Sequence, residues 1–279
     1  MKKVLIQNGT PALVLAPMEG VIDAPMRAML SEVGDYSFCV SEFLRISAEI
    51  PPPRTYWEHL PELNQGGVTP SGLPVQLQLL GGDPEKMAVA AKKGVEAHAT
   101  AIDLNFGCPA PTVNRHDGGA ALLRFPERIR KIVEEVRKAV PSEIPVSAKL
   151  RLGWDDAQAI HLNSEMVAQG GASWITIHGR TKVQGYQPPA YWKPIGEIRK
   201  RLSIPVVANG DLWTEEDFLR CQEETQCEHF MLGRGALANP YLSQKISSHL
   251  RISENSGVSS FLSDGSQNWY PLFKRFAEA

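Results

Sequence analysis

The 279 residues hold only four cysteines, Cys39, Cys108, Cys221 and Cys227, and their spacing fits neither a CxxC redox pair nor a zinc-ligand set. They are read as reduced thiols in a cytoplasmic protein, and no metal site is expected. Charge of one sign is also missing: 29 Lys and Arg stand against 31 Asp and Glu, a formal net charge of −2. That excludes the basic global field of a typical nucleic-acid binder, so any RNA contact must come from a local patch. No apolar stretch reaches transmembrane length. The short apolar run after Met1-Lys2-Lys3 stops at Gln7-Asn8-Gly9, too short for a signal peptide, so no membrane partner is expected. No GxGxxG follows the first strand-like run, which weighs against a doubly wound dinucleotide-binding sheet.

What the chain does contain is alternation. Strand-like runs are expected at Leu13–Ala16, Phe38–Leu44, Val75–Leu80, Thr100–Leu104, Pro145–Leu150, Trp174–Ile177, Pro205–Ala208 and His229–Leu232. Between them stand amphipathic stretches such as Pro126–Ala139, whose Ile129, Ile132, Val133 and Val136 fall on one helical face. Strand and helix alternating about eight times predict an α/β fold, a closed (β/α)8 TIM barrel. Ile50–Leu73, rich in Pro and Gly, reads as an extended loop with one helical turn. The barrel is expected over residues 1–242. Residues 243–279 read as a Ser-rich linker and an opening helix around Trp269–Phe276.

One stretch, Asp103 to Leu123, carries an unusual grouping. A buried strand leads into Asn105, Gly107, Cys108 and Pro109, and Gly118-Gly119 follow. Gly lets backbone approach a ligand and Pro fixes a turn without a donor. The Cys108 thiol would then sit at the mouth of a pocket. The alternative is a buried cysteine that only fills space.

In such a barrel, functional residues gather at the C-terminal ends of the strands. Those ends carry Pro17-Met18-Glu19-Gly20, Gln78, Asn105 with Cys108, Lys149 with Arg151, His178-Gly179-Arg180, Asn209-Gly210-Asp211 and Gly233-Arg234-Gly235. The turns after the last two strands suit an anion, with backbone N–H groups and Arg234 facing it. Lys149 would place a cation near the barrel axis, where an unpaired lysine is costly to bury. Gln78 both donates and accepts. It is equally readable as a bridge between strands, and His178 as a satisfied core histidine. Arg115, Arg180, Lys182 and Tyr186 are placed on loops at the barrel mouth, to hold phosphate or stack on a base, or simply as solvated residues.

These motifs together resemble the tRNA-dihydrouridine synthases, flavin enzymes that reduce a uracil ring in tRNA. Their order, from Ala16 to about Asn239, is most similar to bacterial subfamily C, which acts on the D-loop uridine at tRNA position 16. The resemblance implies FMN as cofactor, NADPH as reductant and the tRNA D-arm as partner of a monomeric enzyme. It implies that Cys108 is the proton donor. It places Pro17, Met18, Glu19, Gln78, Lys149, His178, Asn209, Gly210, Asp211, Gly233 and Arg234 at the flavin, and Asn105, Arg151, Arg180 and Tyr186 at the substrate. Phe106 stands where subfamily members often have a second cysteine. The resemblance also implies a C-terminal helical domain that grips tRNA, of which residues 243–279 would be a truncated remnant. Two rival readings stay open: an FMN barrel acting on a small pyrimidine, similar to dihydroorotate dehydrogenases, and a non-catalytic tRNA-binding barrel. A nucleophilic role for Cys108, with His116 nearby in sequence, also stays open.

Overall fold

A computed structural model describes residues 5–47, 49–115 and 117–250. Among these, eight parallel strands close into a barrel in chain order, with the first paired to the last from Ala12↔His229 to Leu15↔Leu232. The order is β1 (Ala12–Leu15), α1 (Ala24–Val33), β2 (Phe38–Arg45), α2 (Pro53–His59), β3 (Val75–Leu80), α3 (Pro84–Glu96), β4 (Ile102–Phe106), α4 (Pro111–Asn114), α5 (Pro126–Ala139), β5 (Val146–Arg151), α6 (Ala159–Gln169), β6 (Trp174–His178), α7 (Lys193–Arg201), β7 (Val206–Asn209), α8 (Glu215–Thr225), β8 (His229–Leu232), α9 (Arg234–Ala238) and α10 (Leu242–Leu250). The (β/α)8 expectation is met.

Local chemistry explains the elements. Every residue of β1, β3, β4, β7 and β8 is buried, as parallel strands covered by helices outside and side chains inside must be. Side-chain caps start α1 and α3: Asp23 accepts from Met26 N at 2.9 Å, and Asp83 from Lys86 N at 3.0 Å. Thr214 and Asp217 form a reciprocal capping box on α8. On α5, Ile129, Ile132, Val133 and Val136 are fully buried, each contributing roughly 1.5–3 kcal/mol. Its outer face carries pairs such as Lys131–Glu135 at 2.7 Å.

Three local readings change in the structure. β4 runs to Phe106, so Asn105 is a strand residue rather than the start of the loop. Residues 50–73 are more ordered than a loop: α2 is followed by a 3₁₀ turn, Pro61–Gln65, and Tyr56, Leu60 and Leu63 are buried. Both pieces are too short to show a helical period in sequence. What holds them is tertiary. Arg27 donates to Glu62 through Nε at 2.7 Å and Nη2 at 2.8 Å, and to the Ile22 carbonyl at 2.6 Å, with the pair almost wholly buried. Finally, the folded chain continues past residue 242 through α10, whose Leu242, Ile246 and Leu250 are buried at helical spacing. Gln244 ties it to the Val33 carbonyl at 2.6 Å, and Ser247 bonds Asp35. The serines that made this stretch look like linker are small residues that let the helix pack closely. The expected helix at Trp269–Phe276 lies outside the described residues.

A buried bidentate pair is costly to break from one side. Arg27→Met is expected to lose about 3–5 kcal/mol in urea denaturation. Arg27→Met combined with Glu62→Leu should recover much of that loss, because no charge is left stranded. Additive losses in the double variant would contradict the role given to the pair.

Candidate active site

Inside the barrel, side chains alternate inward along each strand, and the lumen is divided by chemistry. One part is apolar, built from Val14, Phe38, Val40, Trp174, Val207 and Met231. The wall formed by β3, β4 and β5 is polar, with Gln76, Gln78, Asp103, Asn105 and Ser147 buried in it. Above them a cavity of about 1000 Å³ opens at the C-terminal ends of the strands. Fourteen of the fifteen cofactor and substrate candidates line it, as does Cys108: Pro17, Met18, Glu19, Gln78, Asn105, Lys149, Arg151, His178, Tyr186, Asn209, Gly210, Asp211, Gly233 and Arg234. Arg180 is the one the structure does not bring to this surface. It is 1% exposed, paired with Asp211, and donates through Nε to the Gln187 carbonyl at 2.7 Å. Asp211 also faces Arg234 at 3.5 Å, so Arg180 acts on the cavity wall from behind.

Cys108 is held by its backbone on both sides. Its N–H, with that of Gly107, donates to Asn105 Oδ1 at 2.9 and 3.0 Å. Its carbonyl accepts from Asn114 Nδ2 and from Ala120 N, both at 3.1 Å. Gly119 has φ +58°, and a Cβ there would lie 2.9 Å from the Cys108 oxygen, so this contact requires glycine. The thiol is half-buried; the other three cysteines are fully buried. Burial pushes the Cys108 thiol up from its ordinary range, with Glu19 adding to the shift. His116 lies outside the described residues. The thiol is therefore protonated at neutral pH, a state that suits an acid better than a nucleophile.

Lys149 stands on the cavity floor and donates to Asn209 Oδ1 at 3.0 Å; Asn209 Nδ2 in turn donates to the Met231 carbonyl at 2.8 Å. Burial, reinforced by Arg151, pulls the Lys149 ammonium down to about 8. His178 is held well below its ordinary value by burial and by Lys149, so its ring is neutral, and among the described residues its buried Nδ1 has no hydrogen-bond partner. Arg151 is engaged with three backbone carbonyls, Gly107 at 2.9 Å, Thr181 at 3.0 Å and Gly185 at 2.8 Å, and so ties the Cys108 loop to the loop after β6. At the rim, the Arg234 guanidinium lies 4.9 Å from the centroids of both Tyr186 and Trp213.

Four groups at or beneath the cavity escaped the sequence reading. Asp103 and Ser147 looked like ordinary strand residues, although a buried acid inside an apolar run was a signal. Arg45 and Trp213 line the cavity, and nothing in their local sequence marks them.

Residues 14–264 match the family model described as Dihydrouridine synthase (Dus). The chain is 47% identical over 234 residues to the tRNA-dihydrouridine(16) synthase of Shewanella oneidensis, covering 84% of this chain and 74% of that protein. It is 48% identical to the protein of that name from Ralstonia nicotianae, covering 84% and 72%. For that of Haemophilus influenzae the identity is 47%, covering 85% and 77%. Among solved structures, histamine dehydrogenase from Rhizobium sp. 4-9 shares the fold with a TM-score of 0.65 at 16% identity, over 86% of this chain and 46% of that one.

The Lys149 shift has a measurable sign. An unfolded lysine titrates near ~10.4, so folded Lys149 releases its proton first, and stability rises with pH from about 8 toward that value. Between neutral pH and about pH 10, ligand-free wild type should gain on the order of 2 kcal/mol relative to Lys149→Met in urea denaturation. Parallel pH profiles would show that Lys149 is not desolvated.

Proposed function

Because the chain belongs to the dihydrouridine synthase family, we propose that it reduces uridine to 5,6-dihydrouridine in tRNA, at position 16 of the D-loop, using FMN and NADPH. The observation that carries the reading is a half-buried, protonated thiol beside a cation and two amides in one open cavity. The cavity residues fit a flavin mononucleotide. Lys149 offers a cation for the electron-rich ring, and Gln78 supplies a hydrogen-bonding amide at its edge. The partnerless Nδ1 of His178 is a polar group still needing a ligand. Gly210 and Gly233 leave the wall free of side chains where a phosphate would meet backbone and Arg234. Pro17, Met18 and Glu19 continue the rim beside Gly233, since β1 pairs with β8 and a Cβ on Gly233 would lie 3.8 Å from Met18 Sδ. When bound, FMN supplies the hydride that adds at C6 of the uracil.

Cys108 then gives its proton to C5, and water or Glu19 restores it. Glu19 is exposed at the rim, and partial desolvation with the nearby Glu42 raises its carboxyl, so it holds a proton more readily than a free glutamate. Asn105 and Arg151 fix the loop that carries the thiol. The target base must leave its stack to reach this depth. Tyr186, 58% exposed at the rim, offers a flat face for it or its neighbour, and Arg45 and Lys182 offer cations for the backbone. A small free pyrimidine would need none of these rim groups, which favours the tRNA reading over the dihydroorotate-dehydrogenase-like one.

Cys108→Ala is expected to retain flavin and its reduction by NADPH. Dihydrouridine formation should fall about 10²–10⁴-fold, the scale of general acid catalysis. Wild-type turnover by this variant would remove Cys108 from the mechanism.

A further inference from the structure

One buried carboxylate has no part in the proposed proton and hydride transfers. Asp103 on β4 is 2% exposed and lines no part of the cavity. Among the described residues it only accepts: Oδ1 from Ser147 Oγ at 2.5 Å and Oδ2 from Gln78 Nε2 at 2.7 Å. Donation toward it extends on both sides. Gln76 Nε2 donates to Ser147 Oγ at 2.9 Å. On the other side Asn105 Nδ2 donates to Gln78 Oε1 at 2.8 Å, and the N–H groups of Gly107 and Cys108 donate to Asn105 Oδ1. The two ends of this chain are chemically unambiguous. A peptide N–H can only donate, and the carboxylate oxygen facing Gln78 accepts. An amide side chain has two flips of nearly equal shape, but only one flip of each amide satisfies both ends at once. The chain therefore has one direction, running from the Cys108 backbone to Asp103 across β4 and β3.

We propose that Asp103 is the positioning residue of the Cys108 loop, acting through Gln78 and Asn105. Its carboxylate fixes the flip of Gln78, which fixes that of Asn105, which turns an oxygen toward the loop N–H groups. Both lone pairs of Asn105 Oδ1 are then occupied, so Asn105 meets a ligand only as a donor, and it suits a carbonyl edge. The functional meaning rests on reading Cys108 as the proton donor.

The test reads hydrogen–deuterium exchange of the Gly107 and Cys108 amides in the full chain. It compares wild type with Asp103→Asn, Asp103→Leu, Gln78→Met and the Asp103→Leu/Gln78→Met double variant. Asp103→Leu and Gln78→Met should each lower protection by roughly tenfold, the factor carried by one hydrogen bond. The double variant should lose no more than either single, because both cut the same chain. Asp103→Asn should stay close to wild type, since its Oδ1 still accepts from Gln78 while its Nδ2 donates to Ser147. Alkylation of Cys108 by iodoacetamide, the half-buried thiol of the four, should quicken in the same variants that lose protection. Additive losses, unchanged protection, or equal losses in Asp103→Asn and Asp103→Leu would overturn the proposal. Should Asp103→Leu not fold, Gln78→Met, which leaves the Asp103–Ser147 contact in place, decides alone: unchanged protection overturns it. Exchange is read without turnover, so failure of the uridine reading, judged by Cys108→Ala, stays distinguishable from failure here.

Discussion

A carboxylate inside a barrel wall is the constraint around which this active end is built. Burial raises the Asp103 carboxyl, opposed by hydrogen bonds from Ser147 and Gln78 and by Lys149. Left without donors, such a group would cost several kcal/mol. Its neighbours are therefore obliged to be Ser, Gln and Asn rather than the aliphatic residues that fill a barrel interior. That requirement explains the dense polar cluster along β3 to β5, whereas β1, β2 and β8 contribute Val14, Phe38, Val40 and Met231 to an apolar cluster. Two residues separate Asp103 from Phe106, the last position of β4, and the Gln78 and Asn105 amides bridge from the acid to the loop that carries Cys108.

The rest of the cavity is held by ties between loops. Arg151 binds carbonyls of the Cys108 loop and of the loop after β6. Arg180 links that same β6 loop to Asp211 after β7, and Asp211 faces Arg234 after β8. Two arginines that read as substrate contacts in sequence thus hold backbone and carboxylate in place. Multiple fixed donors suit arginine to this work better than lysine. Gly235 completes the joint, because a Cβ there would lie 2.0 Å from the Leu212 oxygen. The proposed flavin and base would meet a surface whose loops are already joined.

Much of this was legible in the chain. Strand-like runs at regular intervals gave the barrel, and polar residues at their C-terminal ends marked one face. The convergence of Gln78, Lys149, Asn209 and Cys108 followed from that alone. What was not legible depended on partners far apart in sequence. Asp103 is recognisable as a hub only when Ser147 and Gln78 are seen against it. The helix at Pro53–His59 has too few residues to show a period, and the Arg27–Glu62 pair that seats it joins α1 to the 3₁₀ turn across β2 and the helix itself. Arg180 stands in a motif beside His178, and sequence proximity suggested a shared surface. A bend at Gly179–Arg180, closed by the Arg180 N–H on the His178 carbonyl at 2.7 Å, breaks the strand alternation there and sends the Arg180 side chain into the protein against Asp211 and Gln187.

The most direct test of the account is nucleoside mass spectrometry of tRNA from a strain lacking its own dihydrouridine synthases and expressing this chain. The account predicts that dihydrouridine returns at position 16 and at no other D-loop uridine. Purified, flavin-bound protein that leaves every tRNA uridine unreduced in that strain would contradict it.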